Sequence, residues 1–92
     1  MIKTFRNADT NALFNGERVK RLVNIETVAL RKLAMLNRAT CLNDLRVPPA
    51  NRLERLKDDR ADYYSVRIND QFRLCFQFKH GDAFNVEIID YH

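Results

Sequence analysis

The chain is 92 residues long and 46% hydrophobic, with two glycines and two prolines, a length that holds one core and a composition that excludes a disordered tail. No run approaches the roughly 20 apolar residues of a membrane span, and Met1-Ile2-Lys3-Thr4-Phe5 lacks the apolar centre of a signal peptide, so a single cytoplasmic domain over residues 1–92 is expected. Sixteen Lys and Arg against twelve Asp and Glu leave a net charge of +4, and eleven of the sixteen are arginine, the side chain whose planar fork grips phosphate and stacks on bases. A solvated surface explains the charge equally well, so position along the chain must decide. Cys41 and Cys75 are too few for a disulfide scaffold and lack the spacing of a zinc site; both are read as buried small hydrophobes.

Met1 to Phe5 alternates weakly and reads as a first strand. Asp9 is placed to cap a short helix through Phe14 that Gly16 stops. Residues 17 to 23, with Arg18, Lys20 and Arg21 close together, form a basic loop or helix start. Asn24 is the expected N-cap of a longer helix from Ile25 to about Ala39, with Glu26 near its positive end and Arg38 near its negative end. Ile25, Val28, Ala29, Leu33 and Leu36 recur at three and four, as one buried face requires. Leu42 to Leu45 adds one more turn before Pro48-Pro49 ends regular structure.

After the prolines the pattern is that of an antiparallel sheet. A short strand around Arg52 to Leu56 leads into Lys57-Asp58-Asp59-Arg60 as a charged turn. Tyr64, Val66 and Ile68 then alternate with Ser65 and Arg67, and Phe72, Leu74, Phe76 and Phe78 with Arg73, Cys75 and Gln77. Directly opposed residues share a side of the sheet, so both oily faces coincide if Asn69-Asp70-Gln71 is a three-residue loop. That register sets Val66 opposite Leu74 and Arg67 opposite Arg73. The same parity at His80-Gly81-Asp82 sets Phe78 opposite Phe84 and Leu74 opposite Ile88, and brings Asp90 beside Phe72. A bulge in either strand shifts the pairing by one residue. His80, in a glycine-containing turn, is expected to be solvated.

Arg67 facing Arg73 is unfavourable alone: at about 4 Å two like charges repel by roughly 1 kcal/mol in water and about 4 kcal/mol at an effective surface dielectric. A polyanion on that face reverses the sign. The rival reading is that both side chains splay to solvent or pair with Asp62, Asp70 or Glu87. The chain closes on Asp90-Tyr91-His92, a carboxylate, a phenol and an imidazole that titrates nearest neutral pH. Proton-transfer groups beside a phosphate clamp fit metal-free RNA cleavage, in which a ribose 2′-hydroxyl attacks its own phosphate and the 5′-oxygen leaves. The sequence holds no phosphate-binding glycine loop, HExxH or clearly spaced two-carboxylate metal site; no cofactor is expected.

Met1-Ile2-Lys3-x-Phe5, Arg52-Leu53-x-x-Leu56-Lys57-x-Asp59-Arg60, Tyr64-Ser65-Val66-Arg67-Ile68-Asn69-x-Gln71-Phe72-Arg73 and the closing Asp90-Tyr91-His92 together resemble the HigB toxins of the RelE/ParE superfamily, over nearly the whole chain. The resemblance implies an α+β fold, an antiparallel β-sheet with N-terminal helices packed on one face. It also implies a ribosome-dependent endoribonuclease that cuts mRNA in the 30S decoding site, and a HigA-type helix-turn-helix antitoxin that neutralises the toxin and represses the shared operon. Catalytic roles then fall to Asp90, Tyr91, His92 and Arg73, and RNA binding to Lys57, Arg67, Arg60 and Arg55. Some members carry a histidine in a Leu-His-Pro-Leu-Lys segment where this chain has Leu53-Glu54-Arg55-Leu56-Lys57. Glu54 is then a proton acceptor, or Arg55 and Lys57 supply only charge. Two alternatives stay open: a ParE-like inhibitor of DNA gyrase, and a non-catalytic RNA-binding protein.

Overall fold

The computed structural model describes residues 1–57 and 62–90. Two helices, α1 (Ala8–Phe14) and α2 (Glu26–Arg38), precede four strands, β1 (Glu54–Arg55), β2 (Tyr63–Arg67), β3 (Phe72–Lys79) and β4 (Asp82–Asp90). The strands form one antiparallel sheet in the order β1-β2-β3-β4. Short 3₁₀ segments at Lys20–Ile25, Leu42–Arg46 and Pro49–Asn51 lie in the connections.

Each helix starts differently from the sequence expectation. The α1 cap is Asn7, whose side chain accepts from the backbone N–H of Thr10, while Asp9 sits inside the first turn and pairs with Arg21 at 2.9 Å. Both residues are good caps; Asn7 wins because its backbone is extended, as a cap requires. Asn24 caps nothing, since the 3₁₀ turn from Lys20 runs through it into α2. The buried face of α2 is Ala29, Leu33 and Leu36, with Ile25 just before it and Val28 half-buried. Lys32 is also buried and donates to Asn51, whose amide donates in turn to the carbonyl of Leu45 at 3.1 Å. Burial first, and the neighbouring Arg31 cation second, hold the Lys32 ammonium below the usual lysine range.

Leu13 of α1 and Ala29, Leu33 and Leu36 of α2 pack with Val66, Leu74, Phe76, Val86 and Ile88 into one core. Each of the larger side chains contributes roughly 1.5–3 kcal/mol on burial. The helices therefore cover one face of the sheet and leave the other uncovered by any helix of the described residues. Among those residues no helix is long and apolar enough to cross a membrane.

The outer edge of β4 is closed by the first residues of the chain. Ile2 bridges Ala83 and Phe5 bridges Val86 in parallel fashion, so the expected N-terminal strand is present as two bridges. Farther along, Thr10 Oγ1 accepts from the Ile88 N–H at 2.9 Å and Arg21 donates to the Ile88 carbonyl at 3.3 Å. Backbone groups that would otherwise template another strand are thereby satisfied by α1 and the turn after it.

The β2–β3 register is the expected one: Val66 opposes Leu74 and Arg67 opposes Arg73. Asn69 builds the loop, its side-chain oxygen accepting from the N–H groups of Gln71 and Phe72 at 2.8 and 2.7 Å. The β3–β4 turn differs. Lys79 opposes Asp82, so the loop is only His80-Gly81, both at positive φ, and Phe78 opposes Ala83 rather than Phe84. An irregularity between Cys75 and Gln77, facing Asn85 at φ 52, then restores the parity, and Leu74 meets Ile88 and Phe72 meets Asp90 as expected. His80 is exposed. Cys75 is buried but Cys41 is exposed, correcting the expectation for the latter: it precedes the Leu42–Arg46 turn in an extended conformation at a surface corner.

Candidate RNA-contacting face

Alternation along the strands puts Tyr63, Ser65 and Arg67 of β2, Arg73, Cys75 and Gln77 of β3, and Glu87 and Ile89 of β4 on the open face. Glu54 joins them from β1, opposite Ser65. The face divides into two ends with a closed middle.

At the hairpin end, Arg67 and Arg73 are directly paired across β2 and β3. Their guanidinium groups avoid each other by turning to the loop: Arg67 pairs with the fully exposed Asp70, and Arg73 donates to the carbonyls of Asn69 and Phe72. The splayed arrangement, the rival of a phosphate clamp, is thus the one found, with Asp70 as the partner of Arg67. An exposed pair of this kind is worth little against a phosphate, because its Coulomb energy is largely lost to water and its geometry costs side-chain entropy. Asp90 opposes Phe72 at this same end and so, unlike Ile89 opposite Arg73, occupies the helix-side register at the edge of the open face, its carboxylate accepting from Gln71 Nε2 at 3.0 Å.

In the middle, Ser65, Cys75 and Glu87 form a row that is buried although no helix lies over it, with Glu87 only 7% exposed. Arg6 reaches over from the N-terminal segment: its Nε lies 3.7 Å from Glu87, and its Nη1 donates to the Tyr63 hydroxyl at 3.2 Å. Gln77 Oε1 accepts from Asn85 Nδ2 at 2.7 Å beyond it. Sequence reasoning did not single out Arg6, because its contacts close 57 and 81 residues away in the chain.

Lys57, expected to bind RNA, is exposed just past β1. Arg55 opposes Tyr64 and so occupies the helix-side register of the β1 edge, not the side shared by Arg67, Arg73 and Glu54. Arg60, Tyr91, His92 and most of the charged turn lie outside the described residues.

The fold, an antiparallel sheet with helices packed on one face, is similar to that of a YoeB dimer from Staphylococcus aureus, whose solved structure matches 99% of this chain and 94% of its own at a TM-score of 0.53 and 22% identity. The family of RelE-like toxins of the type II toxin-antitoxin system HigB matches residues 3–92, and the chain belongs to it. A protein named Toxin HigB-1 from Vibrio cholerae is 36% identical over 87 residues, 92% of each chain. Another, named Endoribonuclease HigB, from Proteus vulgaris, is 29% identical over 93 residues and aligned over the full length of both chains.

Proposed function

We propose that this toxin is a ribosome-dependent endoribonuclease that cuts mRNA in the decoding site at the hairpin end of the open face. The observation that carries the reading is the register: Ile89 opposes Arg73, which itself opposes Arg67, so β4 ends beside the arginine pair, with Asp90 one residue farther on in the helix-side register opposite Phe72. Two residues beyond Asp90 the chain holds an imidazole. The relative named as an endoribonuclease and aligned over the whole chain supports the same activity.

In the proposed reaction the 2′-oxygen bonds to phosphorus as the phosphorus–5′-oxygen bond breaks, leaving a cyclic phosphate on one fragment and a free 5′-hydroxyl on the other. One group removes the 2′ proton and another supplies a proton to the departing oxygen. His92 exchanges protons, with Asp90 and Tyr91 orienting it or the substrate, and Glu54 is the candidate acceptor on the same face as Arg73. Arg67, Arg73 and Lys57 carry the phosphate; Arg67 exchanges Asp70 for it, and charge stabilisation in the transition state follows. No metal or other cofactor takes part. Arg60 and Arg55 add general attraction to RNA, weakened by salt. The partner that silences the activity is a HigA-type helix-turn-helix antitoxin.

Mapping transcript 5′ ends after brief induction tests this. Cuts clustered within translated codons are expected. Intact transcripts accompanied by DNA breaks contradict the reading and favour gyrase inhibition, and intact transcripts without DNA damage favour RNA binding alone.

A further inference from the structure

We propose that Arg6, held by Tyr63 and Glu87, is a second RNA-backbone contact on the open face, separated from the Arg67–Arg73 end by the buried Ser65–Cys75–Glu87 row. The inference rests on the endoribonuclease reading and extends it to where the strand runs after the cut site.

Tyr63 lies on β2 and Glu87 on β4, with β3 between them. Strands are spaced 4.7–4.9 Å, so one side chain touching both spans about 10 Å over the face. Arg6 does this from outside the sheet, its guanidinium carbon 5.7 Å from the centre of the Tyr63 ring. The group is fixed by three contacts yet its side chain is 47% exposed, and neither polar contact uses Nη2. A guanidinium already oriented in this way loses little freedom on gripping a phosphate.

Charge and distance agree with that use. Glu87 alone would set an anion among phosphate-binding groups; Arg6 neutralises it and keeps a donor edge toward solvent. Tyr63 and Arg67 are four residues apart on β2, about 13 Å along the strand, a distance that a single-stranded backbone covers within a few nucleotides. A phosphate near Arg73 and a later one near Arg6 lie on one continuous path. The competing role is mechanical, with Arg6 only fastening the N-terminal segment to the sheet.

The test measures binding of the full chain to a single-stranded oligoribonucleotide with 2′-O-methyl sugars, which cannot be cut, across a salt series. Removing one phosphate-binding cation lowers the slope of log affinity against log salt by about 0.7. Arg6→Gln is expected to show that fall, Arg6→Lys to retain the slope, and Tyr63→Phe to weaken binding at unchanged slope, as a positioning residue should. An unchanged slope in Arg6→Gln, with only a lowered melting midpoint, overturns the proposal in favour of the mechanical role. If Arg6→Gln does not fold, the Arg6 Nε–H resonance of the wild-type chain, followed as the oligonucleotide is added, gives the same answer: a shift that saturates with binding supports the contact, and a stationary resonance contradicts it. Absence of any salt-dependent binding by the wild-type chain overturns this inference alone; the endoribonuclease reading falls only if transcripts stay intact after induction.

Discussion

The two faces of this sheet are written by the same alternation of residues and obey opposite rules. On the helix side, Val66, Leu74, Phe76 and Ile88 are essentially inaccessible to solvent and pack into the apolar core shared with α1 and α2. On the open side, arginine meets arginine across β2 and β3, and a carboxylate is buried beneath a guanidinium. The first arrangement lowers the free energy of the fold. The second does nothing comparable for it: exposed pairs such as Arg67–Asp70 contribute roughly 0–1 kcal/mol. The proposed function gives that face its use: the arginine pair is kept for a phosphate and not for the fold.

Substitutions on the two faces should therefore separate stability from activity. The largest stability effect is expected for Phe76→Ala, whose ring is fully buried and stacks on Tyr64 at 6.2 Å; about 3–5 kcal/mol should be lost in chemical denaturation. Arg73→Ala is expected to do the reverse, cutting RNA cleavage at least about tenfold by removing a charge-assisted contact while shifting stability by no more than about 0.5 kcal/mol. A denaturation midpoint that drops as far as that of Phe76→Ala would erase the distinction between the faces. The smallest effect concerns pH. The Thr40 backbone N–H first, and its hydroxyl second, hold Asp44 below the usual carboxylate range. A carboxylate depressed in the folded state contributes stability above its unfolded value, near 3.9, and the contribution is lost as pH falls through the folded value. Asp44→Asn should therefore flatten the acid side of the stability profile without changing cleavage near neutral pH.

How far the sequence disclosed this molecule depended on the range of the interaction. The β2–β3 register was readable because Asn69-Asp70-Gln71 is local and parity leaves one solution for two oily strands. The β3–β4 pairing ended where expected at Leu74–Ile88 and Phe72–Asp90, but by a different route. A His-Gly pair carries a weaker signal for a two-residue turn than Asn-Gly, and the irregularity facing Asn85 has no local signature that alternation would expose. The cap of α1 was misplaced by two residues because Asn7 and Asp9 are equally good candidates until backbone angles are known. Arg67 and Arg73 were legible as a pair, whereas the turn of Arg67 toward Asp70 depends on side-chain geometry. Arg6 was invisible, since a parallel bridge between the two ends of the chain leaves no periodic trace. The family itself was legible in the ordered motifs from Met1 to His92, and residues 3–92 match it.

The proposed cleavage has the residues after β4 bring proton-transfer chemistry to the Arg67–Arg73 end of the open face. His92→Ala tests that most directly, with transcript cleavage measured after induction and folding checked on the purified variant. Loss of cleavage by about 10²- to 10⁴-fold, with the melting midpoint and antitoxin binding unchanged, is the expected result. Cleavage at the wild-type rate by a folded His92→Ala protein would contradict it.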